Sequence, residues 1–249
     1  MRVMVFGAQS HIGFALCEKF LEEGVEVGAI FLESSAKMNK LLLEERMMLI
    51  GRNALFQKFS LEDEWRNDEC THVIYCKEAG HNQDQRCFEK SVERAAETKS
   101  QYFYVTSAAN QIDDDHQHFK TLTFYSIFKL PRLFGPFQPP EEPIHQHLAS
   151  FLTGQKRTLI IEEPILFIKD AVETLVELIE NCEHGKVYSF LSELKKEEIE
   201  SFSVELKMNA TETANDKSIR HSITNQTTIE KGLFDQLSCI KAYREIYGL

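Results

Sequence analysis

The hydrophobic residues of the first 32 positions follow two different periods. An apolar run from Val3 to Phe6 is typical of a buried strand, and it stops at Gly7. Apolar residues then recur three and four positions apart as far as Gly24, which is the spacing of an amphipathic helix. Another apolar stretch follows that glycine. The pattern predicts a strand, a turn, a helix and a second strand, the usual opening of a parallel α/β sheet.

Strand and helix patterns keep alternating along the chain. Further strands are predicted at 54–59, 71–76, 101–106, 124–130, 158–161 and 186–190, and helices at 36–49, 83–98, 144–152, 168–180 and 229–247. This alternation favours an α/β fold with a doubly wound parallel Rossmann sheet and a small C-terminal lobe. We divide the chain into a Rossmann core, residues 1–136, and a mixed segment, residues 137–249. The mixed segment forms the lobe and returns helices and a strand to the core.

Three segments fall outside this alternation. The proline-rich segment 135–143 marks the passage out of the sheet. The run ELKKEEIE at 193–200 has opposite charges four positions apart and is interpreted as a solvated helix. Residues 207–228 are rich in Thr, Asn and Ser, so we expect an exposed or mobile loop there.

Composition and charge narrow the class of protein. The chain has 249 residues, 43% of them hydrophobic, enough to bury one large core. A net charge of -11 at pH 7 repels phosphate backbones and anionic lipid, so neither nucleic acid nor membrane is an expected partner. Because we find neither a long apolar segment nor a signal-peptide pattern, we expect a cytoplasmic protein. The six scattered cysteines include no Cys-x-x-Cys pair and are expected to be reduced.

The turn after the first strand carries the pattern Gly7-x-x-Ser10-x-x-Gly13. Unpaired N–H groups and the helix dipole favour anionic oxygens at such a helix start, so a pyrophosphate can lie there. Gly7 permits the tight turn and Gly13 the close packing of helix on strand. Ser10 replaces the glycine that lets the backbone approach the phosphates. We therefore expect weakened dinucleotide binding, and the alternative is a structural turn with no ligand.

Five segments together resemble a known family. They are GAQSHIG at 7–13, VTSAAN at 105–110, FKLPRLFGP at 128–136, FIKDAVETLVELIEN at 167–181 and GKVYSF at 185–190. Their order is similar to that of the extended short-chain dehydrogenases/reductases, the NAD-dependent nucleotide-sugar epimerase and dehydratase group. The resemblance implies a Rossmann sheet with a smaller substrate lobe, NAD or NADP as cofactor, and a nucleotide sugar or similar small molecule as substrate.

The resemblance also implies site residues, position by position. Those that would line the cofactor pyrophosphate are Gly7, Ser10, His11, Ile12 and Gly13. Those that would contact the rest of the cofactor are Ser60 and Leu61 at the adenine, and Cys76, Lys77 and Pro131 along its path. Ser107 would be the catalytic hydroxyl that hydrogen-bonds a substrate oxygen.

The chain departs from the family at the adenine ribose. The acidic residue expected at the end of the second strand, which accepts the ribose hydroxyls, is replaced by Phe31. Glu33 lies two residues further on the same strand face and is the candidate substitute. No arginine replaces the acid, so the preference between NAD and NADP stays open.

A larger departure concerns catalysis. Family members use a Tyr-x-x-x-Lys pair on a helix, where the lysine lowers the tyrosine pKa for acid–base work. The string occurs here only as Tyr125 to Lys129, inside a predicted strand. On a strand these residues are about 13 Å apart along the axis, against about 6 Å on a helix. We interpret the string as a coincidence.

The segment that should carry the missing pair is short. Only thirteen residues, QIDDDHQHFKTLT, separate Asn110 from Phe124, about the minimum for a parallel crossover. A short helix reaching Phe119 fits there, but no tyrosine lies on it. Two functions stay open: a cofactor-binding or regulatory module with lost or strongly reduced catalysis, which we favour, and an active epimerase, dehydratase or reductase with a rebuilt site.

The charge of one helix and the spacing of the histidines bear on assembly and on metal binding. The helix predicted at 83–98 is highly charged, so we expect a monomer, or an oligomer without the family's four-helix bundle. His116 and His118 follow three aspartates, and His145 and His147 repeat the spacing, which suggests a metal site. On a helix such a pair points about 200° apart. We therefore interpret them as solvated histidines and assign no metal.

Overall fold

A computed structural model of the chain describes residues 1–32, 37–63, 70–77, 84–109, 115–155, 157–192, 197–207, 218–223 and 227–249. The strands are β1 (Arg2–Phe6), β2 (Glu26–Ile30), β3 (Phe56–Phe59), β4 (His72–Cys76), β5 (Gln101–Ser107), β6 (Phe124–Leu130), β7 (Arg132–Phe134), β8 (Leu159–Ile161), β9 (Ile165–Phe167), β10 (Lys186–Ser192), β11 (Glu197–Ile199), β12 (Val204–Leu206) and β13 (Ile219–Ile223). The helices are α1 (His11–Glu22), α2 (Lys37–Ile50), α3 (Asp84–Thr98), α4 (Pro143–Leu152), α5 (Ile168–Asn181), α6 (Ile229–Ala242) and α7 (Arg244–Tyr247). Short 3₁₀ helices cover Asp115–Thr121 and Glu200–Phe202.

Eight strands form one parallel sheet in the order β3-β2-β1-β4-β5-β6-β10-β13. The predicted doubly wound parallel α/β sheet is confirmed. The chain starts at β1 in the middle, winds outward to β3, and then returns past β1 to β4. Neighbouring connections therefore diverge between β1 and β4, and this switch point is where open α/β sheets leave a crevice for ligands.

Helices cover both faces of the sheet and bury two separate apolar clusters. On one face, α1 and α5 belong to the same apolar cluster as strand residues such as Val5, Phe103 and Phe128. On the other face, α3 and the 3₁₀ helix at 115–121 cover Tyr75 and Tyr104. Strand residues alternate between the two clusters because successive side chains point to opposite faces.

The second half of the chain contributes to the main sheet as well as to smaller elements. Strands β10 and β13 extend the main sheet beyond β6. Strands β11, β12 and β8 form a three-stranded sheet, and β7 pairs with β9. Helix α6 contacts α4 and α7.

Two predicted segments differ from the structure. Of the predicted helix at 193–200, residues 197–200 are described: Glu197–Ile199 is strand β11, which pairs antiparallel with β12, and Glu200 begins the second 3₁₀ helix. The predicted loop at 207–228 contains strand β13, which pairs with β10 at the edge of the main sheet. Both predictions are wrong for the described residues because pairing with a neighbouring strand outweighs a local sequence that is polar and weakly periodic.

The thiols and the lengths of the helices can be read directly from the structure. All six cysteines are free thiols, and Cys17, Cys70, Cys76 and Cys87 are buried. Among the described residues, no helix is both long enough and apolar enough to span a membrane.

Candidate functional site

The glycine turn leads from β1 into α1 at the switch point of the sheet. Gly7 has φ +73°, in the left-handed region, and a Cβ there would collide with the carbonyl oxygen of Cys76 at the end of β4. A Cβ on Gly13 would lie 2.5 Å from the carbonyl oxygen of Gly7. Both positions therefore require glycine. The close approach at Gly13 is to the turn itself, rather than to the strand.

Ser10 is the N-cap of α1. Its hydroxyl oxygen accepts a hydrogen bond from the Gly13 N–H at 3.0 Å, and the residue is buried. The N–H groups of His11 and Ile12 have no hydrogen-bond acceptor among the described residues. The cap thus uses one N–H of the first turn and leaves two without an acceptor among the described residues.

His11 joins the start of α1 to the Gly-Pro turn that follows β7. Its Nε2 lies 2.9 Å from the Pro136 carbonyl oxygen, so the neutral ring donates a hydrogen bond there. Burial, together with the nearby Arg46 guanidinium, lowers the pKa of His11 to about 3, against the opposing effect of the Pro136 carbonyl. The imidazole is therefore neutral at pH 7 and adds no positive charge for a phosphate.

Arg46 of α2 is a buried residue that the sequence patterns did not reveal. Its guanidinium lies 3.9 Å from the ring centroid of Phe14 and 4.8 Å from that of Phe137. Among the described residues it forms an ion pair with Glu18, at 3.5 Å, and its Nε has no acceptor there. Burial is the main cause that lowers the pKa of Arg46 and raises that of Glu18, so desolvation exceeds the attraction of the pair. Arg46 holds α1 and the Gly-Pro turn together.

The end of β2, where an acidic residue was expected, is apolar. Phe31 is buried beside Phe14, with ring centroids 6.4 Å apart, and it belongs to the core. The amide oxygen of Gln9 accepts a hydrogen bond from the Leu32 N–H at 2.9 Å and covers the end of the strand. Glu33, the candidate ribose ligand, lies outside the described residues.

The predicted adenine contacts follow β3. The Ser60 N–H donates a hydrogen bond to the Asp63 carboxylate at 2.7 Å, and this bond lowers the pKa of Asp63. Ser60 is exposed, while Leu61 is buried against the cluster on the α3 face. Both lie at the same carboxyl edge of the sheet as the glycine turn, two strands away from β1.

The remaining predicted site residues end β4, β5 and β6. Cys76 is buried, and the Lys77 ammonium lies 5.9 Å from the ring centroid of Tyr104. Ser107, the last residue of β5, is exposed, and its hydroxyl accepts a hydrogen bond from the Ala109 N–H at 3.3 Å. Pro131 is buried directly after β6. The fold thus brings the described site residues to one edge, as parallel strands require.

Tyr125 and Lys129 lie on strand β6, as predicted, and not on a helix. Tyr125 stacks on Phe119 with ring centroids 5.1 Å apart and meets the His184 ring edge-on. Its i+4 partner is therefore far along the strand. In the described part of the connection after β5, the helix Asp115–Thr121 is a 3₁₀ helix, in which positions i and i+3 align rather than i and i+4, and it contains no tyrosine.

The histidines of the metal hypothesis have other partners. His147 Nε2 lies 2.7 Å from the Phe202 carbonyl oxygen, and the His145 ring packs on Tyr247 with centroids 4.6 Å apart. Both are buried, so the expectation that these two are solvated is wrong. His118 meets Phe88 edge-on, while the side chain of His116 lies outside the described part. In that described part, no three His, Cys, Asp or Glu residues group as a metal site would require.

Comparisons of the sequence with known proteins find one partial match. No protein-family model matches the chain. A 55-residue stretch is 40% identical to the uncharacterized protein YjaV of Bacillus subtilis (strain 168). That match covers 22% of this chain and 30% of YjaV, so it spans less than a third of that relative.

Solved structures match nearly the whole chain at low identity. The UDP-glucuronic acid 4-epimerase of Bacillus cereus, with UDP-glucuronic acid and NAD, has a TM-score of 0.69 at 13% identity over 97% of this chain and 99% of that one. The dTDP-glucose 4,6-dehydratase of Bacillus anthracis, with NAD, has a TM-score of 0.71 at 13% identity over 98% of each chain. The UDP-glucose 4-epimerase of Thermotoga maritima, with UDP-glucose, has 0.67 at 14% over 98% and 100%. These neighbours are extended short-chain dehydrogenases/reductases, and the chain shares their fold.

Proposed function

We propose that the chain binds NAD or NADP across the switch point between β1 and β4, and acts as a binding or regulatory module with lost or strongly reduced catalysis. The observation that carries this proposal is the pair of N–H groups, of His11 and Ile12, left without a hydrogen-bond acceptor beside Gly7. They are oriented by the helix start and lie where the dipole of α1 favours negative charge.

The structural neighbours support the choice of ligand. The epimerase of Bacillus cereus and the dehydratase of Bacillus anthracis were each crystallised with NAD. Both enzymes share the fold of this chain at only 13% identity, so the proposed cofactor binding depends on the site residues of this chain. The steric need for glycine at positions 7 and 13 is the part of that site which the chain retains.

The cofactor follows the carboxyl edge of the sheet in this proposal. Its pyrophosphate lies on the turn from Gly7 to Gly13, its adenine near Ser60 and Leu61, and its nicotinamide half passes Cys76, Lys77 and Pro131. Glu33 is the proposed acceptor for the ribose hydroxyls. The preference between NAD and NADP is an outcome of the binding experiment.

Reduced catalysis follows from the groups that flank Ser107. Ser107, the proposed catalytic hydroxyl, ends β5, whereas Tyr125 lies on β6 with its ring against Phe119. General acid–base catalysis contributes about 10²–10⁴-fold to a rate, and Ser107 alone does not supply the proton transfer. A turnover near that of Tyr-Lys enzymes would favour the alternative of a rebuilt active site.

The proposal also assigns a role to each part of the chain. Residues 1–136 form the cofactor-binding core, and 137–249 supply a small substrate lobe, with a nucleotide sugar or similar molecule as a second ligand. The outer face of α3 is polar, with Gln85, Arg86 and Glu89 exposed, so we expect a monomer or an oligomer without a helix bundle, located in the cytoplasm.

Calorimetric titration with NADH and with NADPH tests the proposal. We expect saturable binding of at least one dinucleotide, and its loss in Gly13→Val, where the larger side chain fills the space beside the Gly7 carbonyl. Thermal unfolding of the variant is recorded in parallel to show that it folds. No saturable response of the natural protein to either cofactor at millimolar concentration would leave only a structural scaffold.

A further inference from the structure

The α3 face of strands β4, β5 and β6 is built in layers. The register pairs Val73 with Tyr102 and Tyr102 with Tyr125 in the first layer. It pairs Tyr75 with Tyr104 and Tyr104 with Ile127 in the next. All of these side chains belong to, or pack against, the cluster on the α3 face. The two layers are therefore aromatic and apolar.

The aromatic layers are covered by the 3₁₀ helix that replaces a longer crossover. Phe119 is fully buried, with its ring centroid 5.6 Å from that of Tyr102 and 5.7 Å from that of Tyr104. Phe88 of α3 closes the same cluster at 5.9 Å from Phe119. Phe119 thus covers the two aromatic layers, and the next layer along the strands begins beyond them.

The third layer, at the carboxyl edge, is polar and carries two positive charges. Thr106 pairs with Lys129 of β6. Lys77 follows the pair Cys76–Val105, and its N–H donates to the Val105 carbonyl oxygen, so it stands opposite Thr106. The three residues follow Tyr75, Tyr104 and Ile127 by two positions and therefore share the α3 face.

The spacing of this layer suits one small anion. Strands lie about 4.8 Å apart, so the backbones of Lys77 and Lys129 are about 10 Å apart, with Thr106 between them. Lysine side chains are long and flexible enough to reach a group above the threonine from both sides. Both lysines are partly exposed, in a protein whose net charge is -11. An oxyanion that enters this layer would be attracted by two ammonium groups.

We infer that Lys77, Thr106 and Lys129 form a subsite for the oxyanion, phosphate or carboxylate, of a small ligand. The subsite occupies the edge and face where the resembling enzymes have their Tyr-Lys helix. The ligand at this position is then an acidic compound that is held by charge, rather than a neutral hydroxyl group prepared for proton transfer. The inference rests on the proposed function only in taking this edge of the sheet as the ligand-binding edge.

Lys77, Thr106 and Lys129 each also have other interactions within the protein, and Thr106 is buried, so the anion joins an existing network at its partly exposed lysine side. We therefore expect affinities in the millimolar range, as is usual for a single small anion. Binding should weaken as the concentration of sodium chloride rises, because chloride screens and competes for the same ammonium groups.

The test is calorimetric titration of the full chain with inorganic phosphate and, separately, with malonate. We expect saturable binding of at least one probe, which identifies the phosphate or the carboxylate as the preferred group. Lys77→Met and Lys129→Met should each weaken that binding at least tenfold, whereas Lys129→Arg should retain it. Lys90→Met is the matched control, since Lys90 is a partly exposed lysine of α3 paired with Glu93, and it should change the affinity less than twofold.

Titration of natural protein and Lys129→Met with NADH separates this inference from the proposed function. If phosphate or malonate binds as expected while NADH does not bind at all, the subsite stands and the cofactor proposal fails. If neither probe binds the natural protein, or the Lys90→Met control loses as much affinity as the others, the subsite is overturned. It is equally overturned if Lys129→Met weakens NADH tenfold while phosphate and malonate show no saturable binding.

Discussion

Gly7 and Gly24 allow the steric demand of the nucleotide turn to be measured against an internal reference. Their φ angles are +73° and +74°, so alanine meets the same left-handed strain at both positions. At Gly24 an added Cβ has nothing within 4 Å, whereas at Gly7 it collides with the Cys76 carbonyl oxygen. The two substitutions therefore differ mainly in that single backbone contact.

The expected magnitudes follow from these two effects. Left-handed strain costs an ordinary residue about 1–2 kcal/mol, which is the whole expected loss for Gly24→Ala. Gly7→Ala adds an overpacking cost of about 1–3 kcal/mol, because neither β1 nor β4 can yield without disturbing the sheet. For a chain of this size each kcal/mol lowers the melting temperature by about 2–4 °C.

Urea unfolding of the two variants, followed by circular dichroism, measures the difference as a shift in midpoint at constant slope. NADH titration of the same samples should show affinity lost in Gly7→Ala and retained in Gly24→Ala. Equal destabilisation of both variants would show that the contact between the turn and Cys76 carries no energy, and the reasoning about the turn would be refuted.

Three further predictions concern side chains around the site. Ser10→Gly should raise dinucleotide affinity by up to about tenfold, measured by calorimetry, because the Gly13 N–H is released while glycine remains a tolerable N-cap. Burial lowers the pKa of His11 to about 3 and that of His145 to about 4, so both bind protons more readily in the unfolded chain. Each should therefore lower the free energy of unfolding by about 2 kcal/mol at pH 5 relative to pH 7. In urea titrations at the two pH values, His145→Phe should reduce this loss of stability, and an unchanged loss would contradict a lowered pKa of His145. Tyr125→Phe should leave cofactor affinity and any turnover nearly unchanged, and a 100-fold loss would place Tyr125 in the active site.

The core of the fold could be predicted from the sequence because its strands and helices have strong apolar periods. Strand β6 was predicted with its observed bounds, and α5 to within a residue. Strand β13 was missed because its sequence, Ile-Arg-His-Ser-Ile, has mainly exposed residues at the edge of the sheet. Its pairing with β10 depends on backbone hydrogen bonds that leave little trace in the sequence.

The site was predictable to the extent that backbone geometry determines it. The need for glycine at 7 and 13 follows from the pattern of strand, turn and helix, and the structure supplies the colliding atoms. The role of Ser10 as the N-cap of α1 depends on its side-chain rotamer, which the sequence does not specify. Arg46 was not predicted, because an arginine in an amphipathic helix is ordinarily exposed, and its contacts with Phe14, Phe137 and Glu18 come from distant parts of the sequence.

One change in chain length accounts for several of these features together. A crossover long enough for a catalytic helix would cover the carboxyl edge of β5 and β6 and bring a tyrosine beside Ser107. The described part of this connection is the 3₁₀ helix at 115–121, whose Phe119 packs on the aromatic layers, while Thr106 in the next layer is also buried. The same shortening removes a helix that could pair with α3 between subunits, and the buried side of α3, with Cys87 and Phe88, is already used to cover the sheet. Under the proposed function, absence of the acid–base pair and absence of a helix-bundle dimer are expected to go together, since one helix would supply both.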